Sequence, residues 1–562
     1  MQIPKGMSTN DHGQPDVHPG RRSRPRRYFD CLPRLHRGHK GLGFAALGTM
    51  IVLATSVLSA CSGYQFTPGA PSIYQSNNTV SDPGTPRPLV GVAISGGGNR
   101  SALFASYVLE LLGSLPVDVA TGTTGQDAQP DSFLDTVDHI SSVSGGSFAA
   151  AYFGMKSPGH YGVLISDQPV PKTYADFFSA FHTEMNFNWE AALFGLNGFS
   201  FGSNADRLAK AIDRQFLDGA TFANLDQREA TGASPYLIFN ATHYDSGRRF
   251  VMTTIPSSKF CLNTEQFLQD VVYTPSSGQA ENDAKHLAKL DQCDRHDPLT
   301  PEGFDSFWNP SMLRGVATRD FPLSRVVATS GSFPLLVGPV AYTVLGDASL
   351  LHLIDGGVAD NSGVESLTQL FLRDLIKNPK QKGLIVELDA SLPFNARGTT
   401  ISEDKSPLSV FLHDPTRPSD IQEVRASLYR QDLWGITVFV AKNMKTSDNA
   451  VTRLDIEQLQ PDDLKIGSLK IQTGECHVQF NDADSVHAAA RDIPTNYHLD
   501  ACSAQLVRIT ACWSVHQHAP AIQQFFQESM SADRRPVAST GTSVLDQRIR
   551  TMCPELVTAG AL

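Results

Sequence analysis

Twice within its first 160 residues the chain repeats one short syntax: an apolar run, a glycine turn, then residues with helical spacing. Leu89–Ile94 (LVGVAI) runs into Ser95-Gly96-Gly97-Gly98, and Arg100–Leu112 (RSALFASYVLELL) follows. His139–Val143 runs into Gly145-Gly146, and Ser147–Met155 follows. A run with no polar face cannot turn one side to water, so Leu89–Ile94 is predicted to be a strand covered on both faces, as in parallel sheets. Strand, turn and helix make a βα unit, and its repetition predicts an α/β fold with a predominantly parallel central sheet. Further buried strands are predicted at Tyr236–Ala241, Arg249–Thr253, His352–Ile354, Leu384–Leu388 and Ile436–Val440.

With 562 residues, 41% of them hydrophobic and 18% charged, the chain can bury a large core, and few domains with long insertions are expected. The insertions are placed at 117–131, rich in Gly, Thr, Gln and Asp, and at 256–320, which is polar. Residues 176–201 are crowded with Phe177, Phe178, Phe181, Phe187, Trp189, Phe194, Phe199 and Phe201. Two readings stay open there: ordinary core, or a lid that meets lipid.

The formal net charge of −11 hides an asymmetry. Nine of the 46 Lys and Arg residues lie in the first 60 positions against three of the 57 Asp and Glu, so the remainder is more acidic still. Such a body lacks the basic footprint that nucleic-acid binding needs. After the basic stretch comes an uncharged segment, 41–60, ending Leu58-Ser59-Ala60 directly before Cys61. Basic region, apolar core and small residues at the end predict a secretory signal over 1–60. Leu58-Ser59-Ala60-Cys61 resembles the bacterial lipobox, which implies that Cys61 is lipidated and begins the mature chain in a bacterial cell envelope. A retained membrane anchor or an ordinary signal peptide are the alternatives. Residues 61–87, dense in Pro, Gly, Ser, Asn and Thr, are expected to be a disordered tether.

Six cysteines remain beyond Cys61: Cys261, Cys293, Cys476, Cys502, Cys512 and Cys553. An even number in an oxidising compartment permits disulfides, with Cys261 and Cys293 as one pair and the last four pairing among themselves; free buried thiols are the other reading. No pair has zinc-ligand spacing with a nearby His, and neither a metal nor another cofactor is predicted.

Three motifs close apolar strands and carry polar or glycine groups suited to chemistry. In Ser141-Ser142-Val143-Ser144-Gly145-Gly146, Ser144 stands between strand and helix with Gly146 two residues on, and such a turn lifts a serine oxygen out of the sheet. The expected pattern is Gly-x-Ser-x-Gly, with Ser142 here in the place of the first Gly. In Ser95-Gly96-Gly97-Gly98-Asn99-Arg100, consecutive glycines leave backbone N–H groups able to cradle an oxyanion. A phosphate loop would require the Lys that is missing, and a dinucleotide fingerprint would require Gly at Ser101. In Ile354-Asp355-Gly356-Gly357-Val358-Ala359-Asp360-Asn361, an aspartate ends a strand; by itself this reads as an Asp-Gly turn.

In this order the three motifs resemble the patatin-like phospholipases, whose cousins are the catalytic domains of cytosolic phospholipases. Phe239-Asn240-Ala241-Thr242 with Asp245-Ser246-Gly247-Arg248, and Ala328-Thr329-Ser330-Gly331-Ser332-Phe333-Pro334, extend the resemblance. It covers roughly 88–390, with bacterial relatives continuing through Ile493-Pro494-Thr495, and implies a three-layer α/β/α sandwich; a catalytic domain is expected over 88–465, with 466–562 a C-terminal extension packed upon it or a separate domain. By that resemblance Ser144 is the nucleophile, Asp355 its partner, and Gly97, Gly98 and Arg100 belong to the oxyanion region. The chain departs from the family pattern at Ser95, Ser101 and Ser142.

The implied reaction is lipid acyl-ester hydrolysis through a Ser-Asp dyad and an acyl-enzyme, at a membrane surface. Two alternatives stay open. One is an α/β-hydrolase whose triad takes its histidine from His413, His477, His487, His498, His516 or His518. The other is a non-catalytic envelope lipoprotein. Phospholipid, lysophospholipid, neutral glyceride and thioester are all compatible substrates, and neither an oligomeric state nor calcium dependence is predicted.

Overall fold

The computed structural model describes residues 63–66, 87–117, 131–161, 172–194, 203–255, 304–306, 321–333, 337–344, 350–377, 381–391, 451–457, 464, 466–493, 495–529 and 541–562. The segment 41–60, Cys61, the strand predicted at Ile436–Val440 and the pair Cys261 and Cys293 lie outside the described residues, as do most of the two insertions.

A ten-stranded mixed sheet is built from β1 (Gly63–Phe66), β2 (Leu89–Ile94), β3 (His139–Val143), β4 (Tyr236–His243), β5 (Arg249–Thr253), β6 (Phe304–Ser306), β7 (Val340–Val344), β8 (Leu350–Asp355), β9 (Gly383–Asp389) and β10 (Val451–Glu457). The main order is β1-β7-β8-β4-β3-β2-β9-β10, with β5 pairing β4 and β6. From β4 through β3, β2 and β9 to β10 every pair is parallel; β8 runs against both β4 and β7. All six residues of β2 are buried, as its composition requires.

The helices that matter here are α1 (Gly98–Gly113), α2 (Gly145–Lys156), α3 (Lys172–Met185), α4 (Leu323–Ser330), α5 (Val364–Lys377), α6 (Ala501–Ser529) and α7 (Gly541–Met552). Strand alternation shows the three layers. A side chain on Gly91 of β2 would strike Leu367 and Phe371 of α5, whereas Ile94, on the opposite face of the same strand, lies against Gly146 of α2. Helices therefore cover both faces of the sheet.

One expectation is corrected and one open choice is decided. Four residues of the stretch read as a tether form β1, which pairs in parallel with β7 from Gly63 opposite Ala341 to Phe66 opposite Val344. An edge strand leaves a row of backbone groups unpaired, and a short extended segment satisfies them even without a periodic apolar pattern. Where its side chains are described the aromatic segment is core or packs against it: Phe177, Phe178, Phe181 and Trp189 are buried, half-buried Phe187 lies 4.7 Å from Trp189, and Tyr152 of α2 stacks on Phe181 at 4.9 Å. The side chain of Phe194, and Phe199 and Phe201, lie outside the described residues.

The C-terminal region packs α6 against α1. Gln523 of α6 donates to the Pro116 carbonyl, Lys382 donates to the Glu528 carbonyl, and Arg548 of α7 pairs with buried Glu110 of α1. Two disulfides staple this region internally, Cys476–Cys502 and Cys512–Cys553. Among the described residues no helix is long and apolar enough to cross a membrane.

Candidate active site

The register of one strand brings Ser144 and Asp355 together. Along β4, β5 occupies one edge from Ile238 to Thr242. The other edge is shared: β3 pairs with it up to Val143 opposite Asn240, and β8, running the other way, ends with Asp355 opposite Ala241. The C-terminal ends of β3 and β8 thus meet head to head at neighbouring positions of β4. Asn240 secures the first by donating to Ser141 Oγ (2.9 Å) and the Ser142 carbonyl (3.0 Å). Thr242 secures the second by donating to the Asp355 carbonyl (2.8 Å).

Ser144 follows β3 with φ 50° and ψ −121°, a conformation L-residues rarely adopt. It is the N-cap of α2 and is half-buried, whereas the five residues of β3 before it are buried. Its hydroxyl donates to Asp355 Oδ2 at 2.7 Å. Its backbone N–H donates to Ser330 Oγ (3.0 Å), which itself donates to the Asn240 carbonyl (2.6 Å). Ser142, standing where the resemblance expects Gly, is fully buried; its hydroxyl lies 3.1 Å from Ser147 Oγ, which lies 2.8 Å from Ser330 Oγ. A chain of serine hydroxyls behind the turn therefore satisfies the extra polar group that Ser142 brings.

Asp355 is 3% exposed and accepts two hydrogen bonds, from Ser144 and from the Gly357 N–H (2.8 Å). Burial pushes its carboxyl up to about 6, and the two hydrogen bonds oppose that rise. Among the described residues no histidine hydrogen-bonds to Ser144 or Asp355. His516 lies 3.6 Å from Asp546 and His518 lies 2.7 Å from the Ser514 carbonyl; His413 is outside the described residues.

The glycine loop closes over this pair. A Cβ on Gly145 would stand 2.0 Å from the Gly98 carbonyl oxygen, and one on Gly146 would stand 2.7 Å from the carbonyl oxygens of Ile94 and Ser95. A Cβ on Gly96 would strike the Asn361 side chain and come within 3.4 Å of Ser144 Cβ. The three motifs thus touch one another through glycines, and only glycines allow it. Gly97 and Gly98 adopt φ of 140° and 60°, and α1 and α2 both begin here, at Gly98 and Gly145, so two helix N-termini converge on Ser144. Gly145→Ala is expected to cost about 1–3 kcal/mol of stability, since the clash is with backbone and no side chain can give way. Chemical denaturation reads this directly; an unchanged midpoint would show that the loop and turn are not in contact.

Arg100, grouped by resemblance with the oxyanion region, is fully buried behind the glycine loop, where a Cβ on Gly97 would stand 3.3 Å from its Nη2. It donates to the carbonyls of Ala390 (2.9 Å) and Ile493 (2.6 Å) and to Thr495 Oγ1 (3.1 Å). A guanidinium fork with several donors suits this bracing of three separate stretches of chain. Ser95 and Ser101 have comparable work: Ser95 Oγ accepts from the Ala390 N–H and Ser101 Oγ donates to the Ser95 carbonyl. Sequence reasoning assigned no role to Gly145, Ser330, Asn361 or Tyr497. Gly145 could have been found, because the residue after the serine in such a turn commonly offers its N–H to the oxyanion.

A mostly parallel sheet with helices on both faces, and a serine–aspartate pair at the ends of two of its strands, place this molecule among the three-layer α/β/α domains. Residues 92–368 match the family model Patatin-like phospholipase, and the chain carries a patatin-like phospholipase domain over that stretch. No curated protein matches the chain. Among solved structures, human GIVD cytosolic phospholipase A2 is similar at 13% identity and a TM-score of 0.34, over 79% of this chain and 63% of that one. The match therefore spans less than two thirds of that protein's length.

Proposed function

We propose that this protein hydrolyses carboxylic esters of lipids, with Ser144 as nucleophile and Asp355 as its base. The observation that carries this reading is the 2.7 Å hydrogen bond from Ser144 Oγ to a buried carboxylate with no imidazole between them. Asp355 takes the hydroxyl proton as Ser144 Oγ attacks the ester carbonyl. The tetrahedral oxyanion is met by the N–H groups of Gly97, Gly98 and Gly145 at the N-termini of α1 and α2. Collapse expels the alcohol, which takes the proton back from Asp355, and leaves an acyl-enzyme at Ser144. Water, deprotonated by Asp355, then attacks the acyl carbon, and collapse frees the fatty acid as Ser144 Oγ takes the proton back from Asp355. In this scheme Arg100 supports the oxyanion region by holding the glycine loop against 390, 493 and 495.

The sequence before the domain supports action at a membrane. Cys61, at the end of its lipobox-like segment, would carry the lipid anchor, with the domain facing the periplasm or the outer surface of a bacterial envelope. Phospholipid or lysophospholipid is the substrate class that this placement and the domain family favour.

The base must be ionised to accept a proton, so activity is expected to fall as pH drops through about 6, where Asp355 titrates, and to be flat above. Measuring kcat/KM for a soluble ester between pH 4.5 and 8.5, with chelator present, checks this. Absence of an acid limb would remove Asp355 from the role of base, and a limb near 4 would show that burial does not raise its carboxyl.

A further inference from the structure

The C-terminal region reaches into the site through residues 493 and 495–497, which are bound to Arg100, Asn99, Trp189 and Gly331 of the catalytic domain. Ile493 and Thr495 take the Arg100 guanidinium. The Asn496 carbonyl accepts from the Asn99 N–H (2.8 Å), and a Cβ on Gly98 would stand 2.3 Å from that same oxygen. The Tyr497 carbonyl accepts from the N–H of fully buried Trp189 (3.0 Å). Finally the Tyr497 hydroxyl, itself buried, donates to the Gly331 carbonyl at 2.5 Å.

Gly331 is the residue on which such a bond matters most. It lies between Ser330, whose hydroxyl accepts from the Ser144 N–H and whose carbonyl accepts from the Gly356 N–H (3.1 Å), and Ser332, whose carbonyl accepts from the Asp355 N–H (3.1 Å). Residues 330–332 therefore hold both members of the pair by their backbones. We propose that Tyr497 is a positioning residue for the Ser144–Asp355 pair, acting through Gly331, on a strap that the C-terminal region lays over the site. The inference rests on the hydrolase reading above. Burial and the nearby negative charge of Asp355 both hold the Tyr497 hydroxyl protonated, so it stays a donor while Asp355 works. The strap is fixed just beyond its end by Cys476–Cys502, which ties α6 to the strand Cys476–Phe480.

The test uses the full chain in detergent with a short-chain ester and a fluorophosphonate that labels an active serine. Tyr497→Phe keeps the ring and removes the donor; kcat and the labelling rate are expected to fall about tenfold, with KM within about twofold and the melting temperature unchanged. The double variant Cys476→Ala/Cys502→Ala frees the root of the strap without touching the hydroxyl and is expected to lower kcat in the same direction. Wild-type kcat and labelling rate in Tyr497→Phe would overturn the proposal, as would a loss of kcat matched by a loss of melting temperature. Absence of any Ser144-dependent hydrolysis in the wild type would overturn the hydrolase reading, and this inference with it.

Discussion

Ser144→Ala is expected to lower kcat/KM for ester hydrolysis by a factor on the order of 10⁴ to 10⁶, the range seen when a catalytic nucleophile is removed. The fold should not change with it. Alanine meets the same positive φ at 144 that serine does, the Ser144 N–H still reaches Ser330 Oγ, and the half-buried hydroxyl leaves no large cavity. The N–H groups of the glycine loop remain, so a residue of activity above the uncatalysed rate is expected, as when an oxyanion hole survives its nucleophile. Steady-state kinetics beside thermal melting checks both halves. A drop below about tenfold would leave Ser144 without its role.

Asp355→Asn should be almost as damaging to activity and should at the same time stabilise the protein. The amide has the shape of the carboxylate; its oxygen can still accept from the Gly357 N–H, and its nitrogen can donate to Ser144 Oγ. The direction of the second bond is thereby reversed, and no group remains to take the serine proton, so a loss on the order of 10³ to 10⁵ is expected. The stability gain follows from burial. A carboxyl raised to about 6 in the fold and near 3.8 in the unfolded chain binds more protons when folded, so stability falls as pH rises from about 4 to 6 and stays lower above. That difference corresponds to roughly 3 kcal/mol, which the neutral amide removes at pH 8 and not at pH 4. Urea titrations of both forms at the two pH values read this difference. Equal stability at pH 8 would mean that Asp355 is not held ionised at a cost to the fold.

The parts legible in sequence are those written in local pattern. Leu89–Ile94 could only be a doubly covered strand, and each of the three motifs sits at a strand end because glycine turns follow apolar runs. The pairing of the last four cysteines among themselves also agrees with expectation. What local pattern cannot carry is register across the sheet. That Ser144 and Asp355 meet depends on β3 and β8 abutting at Asn240 and Ala241 of β4, a relation between segments far apart in the chain. Family resemblance supplied that pairing where spacing could not. The place of Arg100 was hidden for the same reason, since the oxygens it braces belong to residues 390, 493 and 495. Tyr497 gave no signal at all: a lone tyrosine in a polar stretch, made consequential only by the loop its hydroxyl reaches. The edge strand β1 was hidden differently, because pairing of backbone groups asks little of side chains.

The most direct measurement is to trap the acyl-enzyme. The protein is mixed with excess 4-nitrophenyl ester, quenched in acid within the first turnover, and its intact mass and peptides are read by mass spectrometry. A single acyl group on the peptide that contains Ser144, absent from Ser144→Ala, is the predicted result. Acylation at another residue, or turnover in Ser144→Ala at the wild-type rate, would contradict the assignment of Ser144 and Asp355 as the catalytic pair.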